Sequence, residues 1–414
     1  MAHRGLARYG AAAFEGLGGL LPSPFPRIIG PRAMEYLQEV VESGLTVDMV
    51  GRFERALAEA LGVKHVIACP GCTPALHVLM AASGFEPGDE VIVSPITDYG
   101  TIAGLVRENL IPVFADVAAG TVNVTAETIE PCITERTRAI LVVHFTGLIC
   151  DMDEINALAA RHRLAVYEDA CQAVFGRYKG RLAGTLGHAA GFSFDAEKTM
   201  GSDIGGAIAT NDDALAERCR FIGQSRGGVE DPPFGRRHVE PGYAMRMPQC
   251  TAAICLAQLE IAPENVARRD RMVRLLSQLI GEIDGVLPLP IPDYVDVYSA
   301  WMFGMSLEPG QFRCSTDEFA AQLAEAGIPG AGTARYYLLP EACTFLERWA
   351  REGRYPYSIP PASREYRYGA SACPTAAAFL ETFIRWSTFC EKYTEEDCER
   401  AAEIVRRVAE ANRR

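Results

Sequence analysis

Leu164-Ala165-Val166-Tyr167-Glu168-Asp169-Ala170-Cys171-Gln172 runs from apolar residues into two adjacent carboxylates. A second stretch, Gly191-Phe192-Ser193-Phe194-Asp195-Ala196-Glu197-Lys198, closes on a lysine, and Gly205-Gly206 follows. Nearly continuous apolar runs are how strands buried on both faces read. A carboxylate at a buried strand end is costly unless it meets a cation. Outward from these two stretches the same kind of run recurs. The strand candidates are His65–Cys69, Val91–Ser94, Pro112–Asp116, Ala139–Phe145, Ala165–Asp169, Gly191–Phe194 and Gly206–Thr210. Helix candidates fill four of the intervals: Thr73–Ala82, Tyr99–Asn109, Thr125–Ile133 and Met152–His162. Strand and helix in series predict an α/β domain on a mostly parallel sheet. In such sheets ligands bind beyond the carboxyl ends of the strands.

The flanks are read more coarsely. Residues 1–25 are rich in Gly and Pro and read as an arm. Helical patterns run from Pro31 to Gly44 and from Val47 to Leu61. Gln249–Ile283 reads as one or two long helices, with Arg268-Arg269-Asp270-Arg271 as a solvated face. Beyond it come short strands (Val297–Met305), loops, and helices at Thr316–Ala326 and Thr394–Asn412, while 340–374 reads as a long loop. The domains expected are an arm (1–30), a large domain (31–265) and a small C-terminal domain (266–414).

The chain has 414 residues, 49% of them hydrophobic, enough for a sizeable core and for two domains. A net charge of -13 argues against nucleic acid and against an anionic membrane as partners. Thirteen cysteines at irregular spacing, with no secretory start, read as free thiols in a reducing cytoplasm. Cys69-Pro70-Gly71-Cys72 is a C-x-x-C pair with His65 nearby, but no further partners for a metal are evident, so no metal is expected.

Asp169 and Lys198 at neighbouring strand ends form either a salt bridge or a ligand site. A pyridine ring fits the second reading: the acid keeps the ring nitrogen protonated, and the lysine amine forms an imine with an aldehyde on the ring. Cys69-Pro70-Gly71-Cys72-Thr73-Pro74 lies between a strand and a helix, where free N–H groups, the helix dipole and the Thr73 hydroxyl suit a phosphate. Pro74 fits the first helical turn because no N–H is needed there.

Several phrases then resemble the DegT/DnrJ/EryC1/StrS family of sugar aminotransferases. They include Pro87-Gly88-Asp89-Glu90-Val91-Ile92, Pro112-Val113-Phe114-Ala115-Asp116-Val117, Val143-His144-Phe145-Thr146-Gly147, Glu168-Asp169-Ala170-Cys171-Gln172, Ser193-Phe194 with Lys198, and Gly205-Gly206. The resemblance spans residues 35 to 390 and implies a pyridoxal 5'-phosphate (PLP) fold of type I, aspartate-aminotransferase-like. Such a fold has a seven-stranded, mostly parallel large domain and a small C-terminal α+β domain. It implies Lys198 as the Schiff-base lysine and Asp169 as partner of the pyridinium nitrogen. Gln172 would bond near the phenolic oxygen, while Ser193, Thr73 and the Cys72 N–H hold the phosphate. It further implies a homodimer with active sites at the interface, glutamate or glutamine as amino donor, and a keto sugar on a nucleotide or a keto cyclitol as acceptor.

Four positions depart from the family pattern. Cys72 stands where Gly is usual, and Asp98 where an aromatic residue often stacks on the ring, so Tyr99 is the candidate for that stacking. Ala244 stands for an asparagine that reaches the partner's phosphate, and Gln249 for an acid. These departures leave room for another PLP reaction (lyase, decarboxylase or condensation) or for a non-catalytic PLP-binding regulator. Asp98, His144 and Arg226 are candidate substrate contacts. The alternatives are a helix cap for Asp98, a packed strand-end histidine for His144 and a solvated loop for Arg226.

Overall fold

The computed structural model describes residues 20–333, 337–358, 360 and 365–414. Seven strands form the large sheet: β1 (His65–Cys69), β2 (Glu90–Val93), β3 (Ile111–Phe114), β4 (Thr137–Val143), β5 (Ala165–Asp169), β6 (Ala189–Ser193) and β7 (Gly206–Thr210). Their order is β1-β7-β6-β5-β4-β2-β3. Only β7 runs antiparallel to its neighbours, β1 and β6. Helices α1 (Ala33–Glu42), α2 (Met49–Leu61), α3 (Cys72–Ala82), α4 (Gly100–Arg107), α5 (Ala126–Ile129), α6 (Met152–His162), α7 (Asp213–Gly223) and α8 (Gln249–Gly281) complete the layers.

Both faces of the sheet are covered, which is why its strands read as unbroken apolar runs. Along β1, Val66 and Ala68 face a core shared with α1, α2 and the start of α8. Ile67 and Cys69 face the opposite core, with α3 and β2 to β4. Helix α2 starts on an Asp48 cap and receives a second one from afar, because Gln249 Oε1 accepts from the N–H groups of Met49 and Val50 at 2.9 and 3.0 Å. An acid at 249 could make the same contacts, so this departure from the family pattern is a neutral substitute.

Helix α8 is one continuous element that carries Pro263, and residue 265 falls inside it. Its first half packs in the α1–α2 core, while Met272, Val273, Leu276 and Ile280 pack in the other. Four short antiparallel strands follow, Val286–Pro288, Phe303–Leu307, Phe383–Trp386 and Ala331–Thr333 in spatial order, with helices Thr316–Glu325 and Glu395–Asn412.

The short strands expected over Val297–Met305 are Val295–Val297, which joins a hairpin at Arg177–Leu182, and Phe303–Leu307, which joins the C-terminal sheet. Two expectations need correction. The stretch 340–374 is not all loop, since it holds helices Leu339–Ala342 and Thr344–Arg351. Arg269 is not solvated: it is 1% exposed and donates to Glu391 and to the carbonyls of Ala300 and Phe389. Most of the arm, residues 1–19, lies outside the described residues. None of the thirteen cysteines is in a disulfide.

Candidate active site

A cavity of about 390 Å³ opens at the carboxyl ends of β5 and β6. Asp169, the last residue of β5, lies on its floor at 2% exposure. Thr101 in α4 donates its hydroxyl to Asp169 Oδ2 at 2.8 Å. Asp169 Oδ1 receives the Cys171 N–H at 3.2 Å and the Cys72 thiol at 3.8 Å. Lys198 reaches the cavity from the turn after β6, where its own N–H bonds to the Asp195 carbonyl. Its Nζ stands 3.7 Å from the centre of the Trp301 ring. Among the described residues neither Asp169 nor Lys198 forms an ion pair, although both line this one cavity.

The turn that carries Lys198 is braced on two sides. Arg27 donates to the carbonyls of Ala196 and Thr199 at 2.8 and 3.2 Å. The Trp301 indole donates to the Glu197 carbonyl at 3.0 Å. Trp301 is itself fixed from behind, where Arg269 binds the neighbouring Ala300 carbonyl at 2.9 Å.

The start of α3 forms the opposite wall. No side chain caps it, so its first N–H groups face the cavity beside Thr73. Gly206 lets this turn settle onto the sheet: a Cβ there would lie 2.2 Å from the Gly71 carbonyl carbon. Gly100 likewise leaves room for the Thr73 hydroxyl, which a Cβ would approach to 2.4 Å. Ser193 Oγ accepts from the Asp195 N–H at 3.3 Å and keeps its own proton to donate. Gln172 Oε1 accepts from the Thr146 N–H at 2.6 Å, which leaves the amide NH₂ to face the cavity.

These residues fit PLP. A buried carboxylate without a cation suits a protonated ring nitrogen. An uncapped helix start with two hydroxyls suits a phosphate. A free amide NH₂ suits an anionic ring oxygen. The Cys72 thiol is held neutral: its hydrogen bond with Cys171, then burial and the Asp169 charge, push it well above the usual thiol range.

Of the residues expected at the site, Cys72, Thr73, Asp98, Asp169, Gln172, Ser193 and Lys198 line the cavity. Asp98 also accepts from the Gly100 N–H at 2.9 Å, so it shapes the entry to α4 as well. Three residues do not come. Tyr99 turns outward, edge-on to Phe345 at 5.9 Å, and lines the adjoining pockets. His144 is fully buried; its Nε2 meets Glu168 at 3.0 Å and its Nδ1 accepts from the Cys150 N–H. Glu168 also accepts from the N–H groups of Gly184, Leu186 and Gly187, so this pair organises a loop. Arg226 is exposed on the surface, at the base of a hairpin over 228–238.

Sequence reasoning missed Thr101, Trp301 and Tyr337. Thr97 and Thr101 lie four positions apart and share a 2.6 Å hydrogen bond, a helical spacing that could have flagged Thr101. Trp301 and Tyr337 lie beyond α8, and no local spacing connects them to the sheet.

The family model for the DegT/DnrJ/EryC1/StrS aminotransferase family matches residues 27–378. GDP-perosamine synthase of Caulobacter vibrioides is 38% identical over 309 residues, 73% of this chain and 81% of that protein. The spore coat polysaccharide biosynthesis protein SpsC of Bacillus subtilis is 36% identical over 68% of this chain and 74% of its own length. The crystal structure of 3-amino-5-hydroxybenzoic acid synthase superposes with a TM-score of 0.82 at 28% identity, covering 95% of this chain and all of that one.

Proposed function

The chain belongs to the DegT/DnrJ/EryC1/StrS aminotransferase family, whose members are PLP enzymes, and from that premise we propose that it moves an amino group from glutamate or glutamine to a keto sugar carried on a nucleotide. The observation that carries the reading is the opposition of Lys198 and Asp169, two charges that share one cavity and do not pair.

When bound, the cofactor supplies an aldehyde that captures amines and a ring that draws electrons from the substrate carbon. Asp169 holds the proton on the ring nitrogen, and Thr101 and the Cys171 N–H hold Asp169. The start of α3, with Thr73 and Ser193, binds the phosphate. The Gln172 NH₂ donates to the phenolic oxygen. Lys198 Nζ takes the proton from the donor's Cα and returns one to the acceptor carbon, which gives two half-reactions and ping-pong kinetics. Trp301 lies across Lys198 and narrows the approach of water to the amine.

The adjoining relief supports a nucleotide on the acceptor. A pocket of about 260 Å³ shares Thr97, Asp98 and Tyr337 with the Lys198 cavity. It passes at Tyr99 and Phe345 into one of about 510 Å³ that ends on Trp349, Arg107 and Arg354. Aromatic faces and guanidinium groups suit a base and its phosphates. A bare cyclitol would leave this trough empty. Exposed apolar side chains on and near α1, among them Met34, Val41 and Leu45, together with Phe234 on the hairpin, support a homodimer. Among the described residues no helix is long and apolar enough to cross a membrane, which is compatible with a cytoplasmic enzyme.

The test is a pair of single-turnover measurements. Glutamate or glutamine should bleach the visible absorbance of the bound cofactor, and a nucleotide-linked keto sugar should restore it. Bleaching reversed equally well by an unsubstituted keto cyclitol would overturn the acceptor assignment. No bleaching with any amino donor would overturn transamination and favour a lyase or condensing reaction.

A further inference from the structure

Two thiols flank Asp169, and the chemistry above uses neither. Cys72 stands at the start of α3, and Cys171 two residues beyond the end of β5. The two segments are far apart in sequence and meet because glycines line the path between them. A Cβ at Gly191 would lie 2.7 Å from a Leu76 methyl and 3.4 Å from Cys72 Sγ. The ligand atoms of Cys72, Asp169 and Cys171 all lie within 4.8 Å of one another. The C-x-x-C spacing that draws the eye in the sequence is not this pairing. Cys69 is buried, its thiol on the Ile67 carbonyl, and His65 meets Asp213.

We infer that, when the cofactor is absent, Cys72, Asp169 and Cys171 bind one thiophilic divalent cation, of which zinc is the type, and that cation and cofactor exclude one another. Tetrahedral zinc holds sulfur at ~2.3 Å and carboxylate oxygen at ~2.0–2.2 Å, so its ligands stand roughly 3.5–3.8 Å apart. The three atoms need only a small contraction to reach that spacing. The donor set is soft, two sulfurs and one oxygen, and selects zinc, cadmium or cobalt over magnesium or calcium. Binding breaks two S–H bonds, forms two metal–sulfur bonds and releases two protons to solvent, with no change of oxidation state. The cavity supplies the fourth position to water. Exclusion follows from Asp169, whose Oδ1 lies nearest the Cys72 thiol. That step rests on the proposed cofactor reading, because the cation claims the carboxylate that would hold the ring nitrogen and repels a protonated ring.

The test uses the full-length chain stripped of cofactor and titrated with cobalt(II). One equivalent should develop thiolate-to-cobalt charge-transfer absorbance, and added PLP should remove it as the cofactor's own absorbance appears. Cys72→Ala and Cys171→Ala should each weaken cobalt binding by more than the ~10–100-fold that loss of an outer-sphere partner costs. Their circular dichroism should be unchanged. Cys250→Ala, an exposed thiol outside the cavity, should leave the titration as it was. Cobalt affinity equal to the parent's in either cavity variant would overturn the site. Cobalt and PLP bound together would overturn the exclusion. Failure of the stripped, metal-free chain to take up PLP would count against the proposed activity alone, since the cobalt titration still decides the metal site.

Discussion

Two pairs of opposite charge lie close together in this chain and are treated in opposite ways. Arg269 and Glu391 are 1% and 2% exposed and in direct contact, with Arg269 Nε and Nη2 donating to the carboxylate at 3.0 and 2.5 Å and Nη1 to the carbonyls of Ala300 and Phe389. Asp169 is just as buried, yet among the described residues its nearest partners are a hydroxyl, a thiol and an N–H, while Lys198, which lines the same cavity, leans on Trp301. A buried charge with a matched partner has nothing left to offer a ligand. A buried charge held by neutral donors is poised for a cation that comes from outside the chain. The difference separates the residue that builds the seam from the residues that do chemistry, even though Arg269 indirectly holds Trp301 in place.

The strongest way to break this comparison is to remove the amine. Lys198→Ala should abolish the covalent link to PLP and lower turnover by at least ~10³-fold, within the range expected for loss of a general base. Its thermal midpoint should stay close to that of the parent without cofactor, since Lys198 makes no ion pair among the described residues. Borohydride reduction followed by peptide mass mapping reads the link. A reduced adduct that survives in the variant would mean that Lys198 is not the attachment site.

Asp169 and Lys198 were legible in the sequence for a physical reason. Strands buried on both faces leave unbroken apolar runs, so a charge at the end of one stands out, and β1, β5 and β7 were read to their last residue. Helix α6, with the period and acidic first turn of an amphipathic helix, was equally clear. What failed was relation across distance. His144, just after β4, is the packed strand-end histidine and not the substrate contact, because Glu168, one position before Asp169 and therefore on the other face of the sheet, captures it. Tyr99 follows Asp98 in sequence and points elsewhere in space. Arg269 sat in a run of charges that composition assigns to solvent, and its partner Glu391 lies in the C-terminal part, with no local signal linking the two.

The seam offers the next test, with a smaller effect of a different kind. Glu391→Gln should cost about 3–5 kcal/mol of stability, because Arg269 is left buried without its counter-charge. The holoenzyme that still folds should keep its cofactor absorbance. The pH dependence carries a sign. Burial raises the Glu391 pKa, but Arg269, a backbone hydrogen bond and the Arg27 charge together outweigh it, so the carboxyl is held below its ordinary value. A depressed pKa contributes stability above the unfolded value, and that contribution is lost as the pH falls through the folded one. The parent should therefore lose stability on acidification in a window where the variant loses less. Denaturant midpoints measured from neutral pH downward would read the two slopes, and parallel slopes would remove the pair from the account.

Thr101→Val is the mildest change and the sharpest, because it preserves shape and removes one hydrogen bond to a buried charge. Asp169 would keep the Cys171 N–H and lose the 2.8 Å donor on Oδ2. A bond to a charged group is worth roughly 1.5–3 kcal/mol, so the carboxylate is held less firmly against the ring nitrogen. PLP affinity should fall about tenfold. The cofactor's absorbance should titrate at a shifted pH, which loss of packing alone would not produce, and Thr101→Ser should restore both. If valine at this position left the titration of the bound cofactor unmoved, Thr101 would be a wall of the cavity and not a holder of Asp169. The unpaired acid would then owe its state to the N–H and the thiol alone.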